Sequence, residues 1–310
     1  MWVLLAFASA FFAGIMSILA KVGVKNMDAN LATALRTIVV ALFAWLMVFV
    51  VGSHATIMAV DIRSLLFLVL SGLATGGSWL CYFKALQLGD VSKVAPVDKS
   101  STVLTMLLAM TFLGEGVTII KVCAMASIGF GTYLMIQRKP ISSKPDAGSV
   151  GSKADGRADS KADSKAETYD GGYKWLIFAG FSAVFASLTA IFGKVGIEGV
   201  EANLGTAIRT MVVLGVTWLI VLAQRKHKGI RQIDRRSGVF LALSGLATGL
   251  SWLCFYHALQ AGPASVVVPI DKLSIVVTVA FGYFVLREKL KRLSVIGLVL
   301  IVAGTLALLI

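Results

Sequence analysis

Ser71-Gly-Leu-Ala-Thr-Gly-Gly-Ser-Trp-Leu-Cys-Tyr-Phe-Lys-Ala-Leu-Gln87 returns as Ser244-Gly-Leu-Ala-Thr-Gly-Leu-Ser-Trp-Leu-Cys-Phe-Tyr-His-Ala-Leu-Gln260, identical at thirteen of seventeen positions. Ala95-Pro96-Val97-Asp98-Lys99 returns as Val268-Pro269-Ile270-Asp271-Lys272 at the same offset. Without a gap, Trp2 to Gln137 overlays Trp175 to Ile310, so the chain reads as two copies of one unit. The predicted organisation is a first repeat at 1–137, a flexible polar linker at 138–174 and a second repeat at 175–310.

Composition decides where these copies reside. Of the 310 residues, 57% are hydrophobic and only 15% charged, and the mean hydropathy is +0.86. In globular chains roughly half the residues are apolar and roughly a quarter charged, so this one belongs in a bilayer. The net charge of +13 does not indicate nucleic acid, because most Lys and Arg sit in short segments between apolar runs, where they meet lipid headgroups. Cys81, Cys123 and Cys254 form no Cys-x-x-Cys pair and read as small packing residues.

Ten apolar runs are predicted as membrane helices, near 2–20, 31–52, 64–83, 92–113, 118–136, 175–193, 204–223, 237–256, 265–286 and 292–310. Ala8-Ser9-Ala10 resembles a cleavage site, yet no basic region precedes it and the apolar run continues past it, so the first run is kept as a membrane helix. Arg138 to Lys174 holds eight basic and six acidic residues with no apolar periodicity, which predicts a disordered spacer.

Five helices per copy is an odd number, so the second copy enters the membrane from the opposite side. The basic residues follow this inversion. Lys21, Lys25, Lys84 and Lys93 flank the first and third connections of copy one, whereas Glu198, His257 and Val266 stand at three of those places in copy two. Copy two loads its second connection with Arg225, Lys226, Lys228, Arg231, Arg235 and Arg236, and its fourth with Arg287, Lys289, Lys291 and Arg292. With the linker, twenty-two basic residues fall on one side against Arg63, Lys121 and Lys194 on the other, which predicts a cytoplasmic linker and both termini outside. The predicted fold class is therefore an all-α polytopic membrane protein of ten transmembrane helices in two inverted five-helix repeats, lodged in the cell membrane. Lys21 and Lys194 are equivalent positions on opposite sides, so one of them breaks the charge rule and has another task.

Gly72-x-x-x-Gly76 and Gly245-x-x-x-Gly249 place two glycines on one helix face, where a neighbouring backbone can approach closely. Trp79 and Trp252 follow on the same face and either cap a cavity or pack. Charges within apolar runs cost several kcal/mol unless paired or wet, and they are few: Arg36 with Arg209, and Asp98-Lys99 with Asp271-Lys272. One reading starts the fourth and ninth helices at Pro96 and Pro269, leaving the aspartates in a first turn and the lysines, Arg36 and Arg209 snorkelling to headgroups. The other carries both helices on as interrupted segments that set Asp98, Lys99, Asp271 and Lys272 near the midplane, the pattern of a transporter binding site. There the charges form a layer about a pseudo-two-fold axis, and at least one carboxylate changes protonation during transport.

Asn-Leu-x-Thr-Ala-x-Arg-Thr in the second helix of each copy, Gly-Leu-Ala-Thr-Gly with Trp-Leu-Cys in the third, Pro-x-Asp-Lys in the fourth and a following Glu115 or Glu288 together resemble the EamA family of the drug/metabolite transporter superfamily. The resemblance implies a ten-helix secondary transporter for a small solute, with a central cavity between the halves. Relatives are usually drawn with both termini cytoplasmic; the charges here point the other way.

Three other classes are weighed. His54, His227 and His257 form no His-Glu-x-x-His or comparable cluster, so neither an enzyme nor a metal or other cofactor is expected. A flippase for lipid-linked substrates and an anion-selective pore share the expected architecture. A monomer or a homodimer in the lipid bilayer is expected.

Overall fold

The computed structural model describes residues 1–23, 28–88, 97, 100–136, 174–284 and 292–310. The expected linker lies outside the described residues, as do Asp98 and Lys99. The described helices are α1 (Trp2–Gly23), α2 (Ala29–Val51), α3 (Ile62–Leu88), α4 (Ser101–Phe112), α5 (Ile119–Ile136), α6 (Lys174–Gly196), α7 (Ala202–Ala223), α8 (Arg235–Ala261), α9 (Ala264–Lys272), α10 (Ser274–Phe284) and α11 (Arg292–Ala307). Two 3-10 segments, Ser53–Ala59 and Lys226–Gln232, follow α2 and α7. No strand occurs among the described residues.

Among the described residues, seven spans are long and apolar enough to cross a membrane; Ser101–Phe112, Ile119–Met135 and Arg292–Ala307 are shorter apolar helices. The surface is correspondingly apolar, with Leu4, Leu42, Val50, Leu219 and Val299 all more than half exposed, a pattern suited to lipid and not to water.

Helix starts are set by carboxylates at equivalent positions. Asp28 accepts from the backbone N–H of Asn30 (2.9 Å) and Leu31 (3.3 Å) at the head of α2. Glu201 accepts from Asn203 and Leu204 N–H (both 3.0 Å) at the head of α7. Each satisfies orphan donors and complements the helix dipole.

The core is built between the halves. α3 lies along α6 and α1 along α8, the same pairing made once by each copy; α2 packs on α7, and α5 on α11. Glycines allow the close approach: a Cβ at Gly72 would stand 2.7 Å from Val212 Cβ, and one at Gly245 2.7 Å from Val39 Cβ, again the same contact twice. The helix-packing reading of both glycine pairs holds. Threonines hand their protons to the carbonyl four residues back, as in Thr75 to Ser71 O (2.9 Å) and Thr248 to Ser244 O (2.7 Å), which lets polar groups sit in an apolar interior.

The ninth predicted run is broken. α9 ends at Lys272, Leu273 N–H bonds the Ile270 carbonyl three residues back (2.9 Å), and α10 starts at Ser274. Pro269 sits inside α9, where it cannot donate to the Ser265 carbonyl, and the tightened turn follows directly. The alternative that starts this helix at Pro269 is thereby corrected: Gly262 and Pro263 end α8 and open α9, and Asp271 lies in α9's last turn. α4 opens at the position equivalent to the start of α10.

Candidate functional site

Arg209 is the most demanding residue in the interior. It lies on the third turn of α7, and only 3% of it is exposed. Its Nε donates to Ser71 Oγ (3.0 Å) and its Nη2 to Thr75 Oγ1 (2.7 Å), both on α3 of the other half. Those hydroxyls spend their own protons on backbone carbonyls, Ser71 on Thr189 O (2.8 Å) and Thr75 on Ser71 O, so their lone pairs are left for the guanidinium. The guanidinium carbon stands 4.7 Å from the centroid of the Trp252 ring and 5.1 Å from that of Tyr256, one turn apart on α8. Nη1 is buried with no hydrogen-bond partner among the described residues.

Beside this cluster runs a line of hydroxyls to Asp271. Ser9 on α1 donates to Asp271 Oδ1 (2.6 Å), and its oxygen is 3.2 Å from that of Ser251 on α8. Asp271 is half-buried, Ser251 adjoins Trp252 on α8, and the Tyr256 hydroxyl and Ser71 Oγ both face the space left by Gly193. Gly193 on α6 makes room there, since a Cβ would meet the Tyr256 ring at 2.8 Å.

The structure thus brings three predicted site residues, Arg209, Trp252 and Asp271, into one neighbourhood. Lys272 is exposed instead. Arg36 is partly buried and its Nη1 donates to Met16 Sδ (3.1 Å). Trp79 lines a small recess with Asn30, Thr33, Thr217 and Ile220, whose lining does not include Trp252. Sequence reasoning missed Ser71, Thr75, Ser9, Ser251 and Tyr256. The hydroxyls carry no charge to attract notice. Tyr256 does leave a trace, because it replaces Phe83 in the copied stretch.

The ends of α8 and α9 are pinned by charge. Glu115, in the turn after α4, accepts from Ala264 N (2.5 Å) and Ser265 N (3.0 Å) at the head of α9. Lys194 donates to the carbonyls of Leu259 (2.5 Å) and Gly262 (2.8 Å) at the tail of α8. Of the two equivalent lysines singled out from the sequence, Lys194 has these partners inside the fold. Among the described residues no group of three His, Cys, Asp or Glu side chains is placed to hold a metal.

The profile of the EamA-like transporter family matches residues 1–137 and 173–310. An uncharacterized transporter from the cobO 3' region of a Sinorhizobium species is 46% identical over 134 residues, which make up 43% of this chain and 95% of that protein. An uncharacterized protein of Methanocaldococcus jannaschii is 32% identical over 126 residues, 41% of this chain and 89% of its own. Each relative is therefore about as long as one copy of the repeat. A crystal structure superposes with a TM-score of 0.71 over 99% of this chain and 96% of its own, at 15% identity, a likeness of fold alone.

Proposed function

Because the chain belongs to the EamA-like transporter family, we propose that it is a secondary transporter that moves a small organic solute across the cell membrane by alternating access, coupled to protons. The observation that carries this reading is the broken helix: α9 and α10 part at Leu273, and the break sets Asp271 against Ser9 beside a buried arginine. Interrupted helices at a repeat interface provide backbone and side-chain ligands at membrane depth without exposing them to lipid.

Ten helices in two inverted repeats are supported by the contacts that recur at equivalent positions of the two copies and by relatives one repeat long. In such an arrangement the two copies exchange conformations, and the cavity opens to each side in turn. At least one of Asp271 and Asp98, which occupy equivalent positions, carries the coupling proton; loss of charge on Asp271 would loosen its hold on Ser9, which ties α9 to α1. The charge bias of the connections supports a cytoplasmic linker with both termini outside.

The test uses the pure protein. A thermal-shift screen of metabolites finds a solute that stabilises the fold, and proteoliposomes then measure its uptake with and without an imposed proton gradient. Asp271→Asn should abolish gradient-driven accumulation while exchange of labelled for unlabelled solute persists. Accumulation equal to the parent in this variant would remove Asp271 from coupling, and flux that never saturates would make the protein a pore. Orientation is read separately in a cysteine-free background: a cysteine at Ser160 should be shielded from an impermeant thiol reagent in intact cells and one added after Ile310 labelled. The reverse pattern would invert the topology.

A further inference from the structure

Arg209 carries a full positive charge with an incomplete set of partners. Its guanidinium is charged at every physiological pH, and it lies in the interior of an apolar chain with only 3% of its surface exposed. Ser71 and Thr75 accept from two of its nitrogens, but both are neutral. Trp252 and Tyr256 offer ring faces. No carboxylate among the described residues lies within 4.0 Å of it, and Nη1 has no partner among them. A buried cation left in this state is expensive, and the cost is recovered when an anion arrives with hydrogen-bond acceptors of its own.

The geometry points to Arg209 as the receptor for a carboxylate on the transported solute, with Nη1 donating to it and the Trp252 and Tyr256 rings forming an apolar flank for the body of the molecule. The inference rests on the transporter reading and narrows its substrate to organic anions. Three observations separate a receptor from a structural arginine. First, the two nitrogens that are bonded bind hydroxyls already oriented by their own bonds to Thr189 O and Ser71 O, so the fork is held rigid without being neutralised. Second, the free nitrogen is buried and no oxygen of the described residues satisfies it. Third, Arg36 occupies the equivalent place in the other copy and its guanidinium reaches Met16 Sδ instead, so the rigid holding is not a by-product of the duplicated backbone. Asp271 is bonded to Ser9 and not to Arg209, which leaves the guanidinium available.

The experiment measures binding of radiolabelled benzoate to the full-length protein in a nonionic detergent, which removes lipid phosphate as a competing source of anion. Benzoate pairs a carboxylate with a flat ring; benzamide is its uncharged twin. Saturable binding is expected, displaced by unlabelled benzoate and not by a hundredfold excess of benzamide. Arg209→Gln should weaken benzoate at least tenfold, Arg209→Lys less than Arg209→Gln because the charge remains, and Arg36→Gln by under threefold. Size-exclusion profiles and melting curves verify that each variant is folded; if Arg209→Gln is not, Arg209→Lys and the benzoate-over-benzamide preference decide. Absence of saturable benzoate binding, equal displacement by benzamide, or parental affinity in the folded Arg209 variants would overturn the inference. Uptake of benzoate into proteoliposomes is measured in parallel. Arg209-dependent binding without uptake or exchange would keep the anion site and sink the transporter reading, whereas saturable uptake of other solutes untouched by Arg209→Gln would keep transport and sink the anion site.

Discussion

Arg209 and Arg36 stand at equivalent positions in two copies of one sequence, and their backbones are packed alike. Gly72 closes on Val212 and the Arg209 carbonyl as Gly245 closes on Val39 and the Arg36 carbonyl. Ser71 donates to Thr189 O as Ser244 donates to Met16 O. The side chains part company after that. Arg209 is held by two hydroxyls and two rings, whereas Arg36 bonds to a thioether, a weak acceptor.

Few residues account for the divergence. Tyr256 stands where copy one has Phe83, and Thr189 where it has Met16. Duplication fixes the close backbone contacts, which depend on glycine and on carbonyls that every copy possesses. Ser71, Thr75 and Trp252 have identical counterparts in Ser244, Thr248 and Trp79, so the different surroundings of the two arginines go with the side chains that do differ, Tyr256 and Thr189. The proposed anion site draws on this difference, since it uses one of the two arginines only.

The largest effect expected from this comparison is on transport. Arg209→Met should reduce solute flux in proteoliposomes at least a hundredfold, and Arg36→Met less than fivefold. Melting temperature should move the other way: a buried charge without a counter-ion is replaced by an apolar chain of similar length, a change that is neutral or stabilising in cores. Arg209→Met that melts well below the parent, or Arg36→Met that loses flux equally, would erase the distinction between the copies.

How much of this was legible in the sequence depends on what signal each feature leaves. Apolar runs, the glycine pairs and the arginines are conspicuous, because an uninterrupted apolar stretch or a charge within one is physically costly to place elsewhere. The start of α9 was written in Gly262-Pro263, although Pro269 competes as a start signal. Packing between rather than within the copies leaves no signal in either copy alone, since apolar faces do not name their partners. Ser71, Thr75 and Ser9 were illegible as ligands because hydroxyls in membrane helices ordinarily return their proton to a carbonyl one turn back. Asp98 and Lys99 were conspicuous in the sequence, but they fall outside the described residues and their placement stays a proposal.

A smaller effect tests the shared scaffold. A Cβ at Gly76 would meet Val216 Cγ1 at 2.1 Å, whereas at Gly249 it would meet Phe43 Cδ1 at 2.6 Å. Gly76→Leu and Gly249→Leu should each destabilise by about 1–3 kcal/mol through overpacking. Gly76→Ala should cost more than Gly249→Ala, because a β-branched valine cannot turn aside on its helix as an aromatic ring can. Gly72→Ala and Gly245→Ala, whose nearest contacts match, should be alike. Melting in detergent measures all six variants, and unequal losses at Gly72 and Gly245 would show that the backbones differ more than their contacts do.

The smallest effect separates the two caps at the helix ends. Asp28 is bound by Lys226 (2.6 Å), whereas Glu201 accepts from the Asn203 side-chain amide (2.7 Å) and has His257 at 3.8 Å. Burial pushes the Glu201 carboxyl up, but the Asn203 and Leu204 backbone N–H groups, with His257 nearby, bring it below the usual glutamate range. Burial likewise opposes Lys226 and the Leu31 and Asn30 N–H groups at Asp28, which also ends below its ordinary value. A depressed pKa means that each cap contributes fully above the unfolded value near pH 4, and that the contribution is lost as pH falls through the lower folded value. Asp28→Asn and Glu201→Gln should each cost about 0.3–1 kcal/mol at neutral pH through the lost charge at the helix N-terminus and flatten the fall in melting temperature below about pH 4. Salt tells them apart. The Asp28 pair is a partly exposed ion pair and weakens at salt of about 1 M, so Asp28→Asn should cost less there than in dilute buffer. Glu201 leans on amide and backbone donors, which salt does not screen, and Glu201→Gln should cost the same in both. Equal salt dependence of the two variants would mean that His257, and not the N–H donors of Asn203 and Leu204, is what holds Glu201.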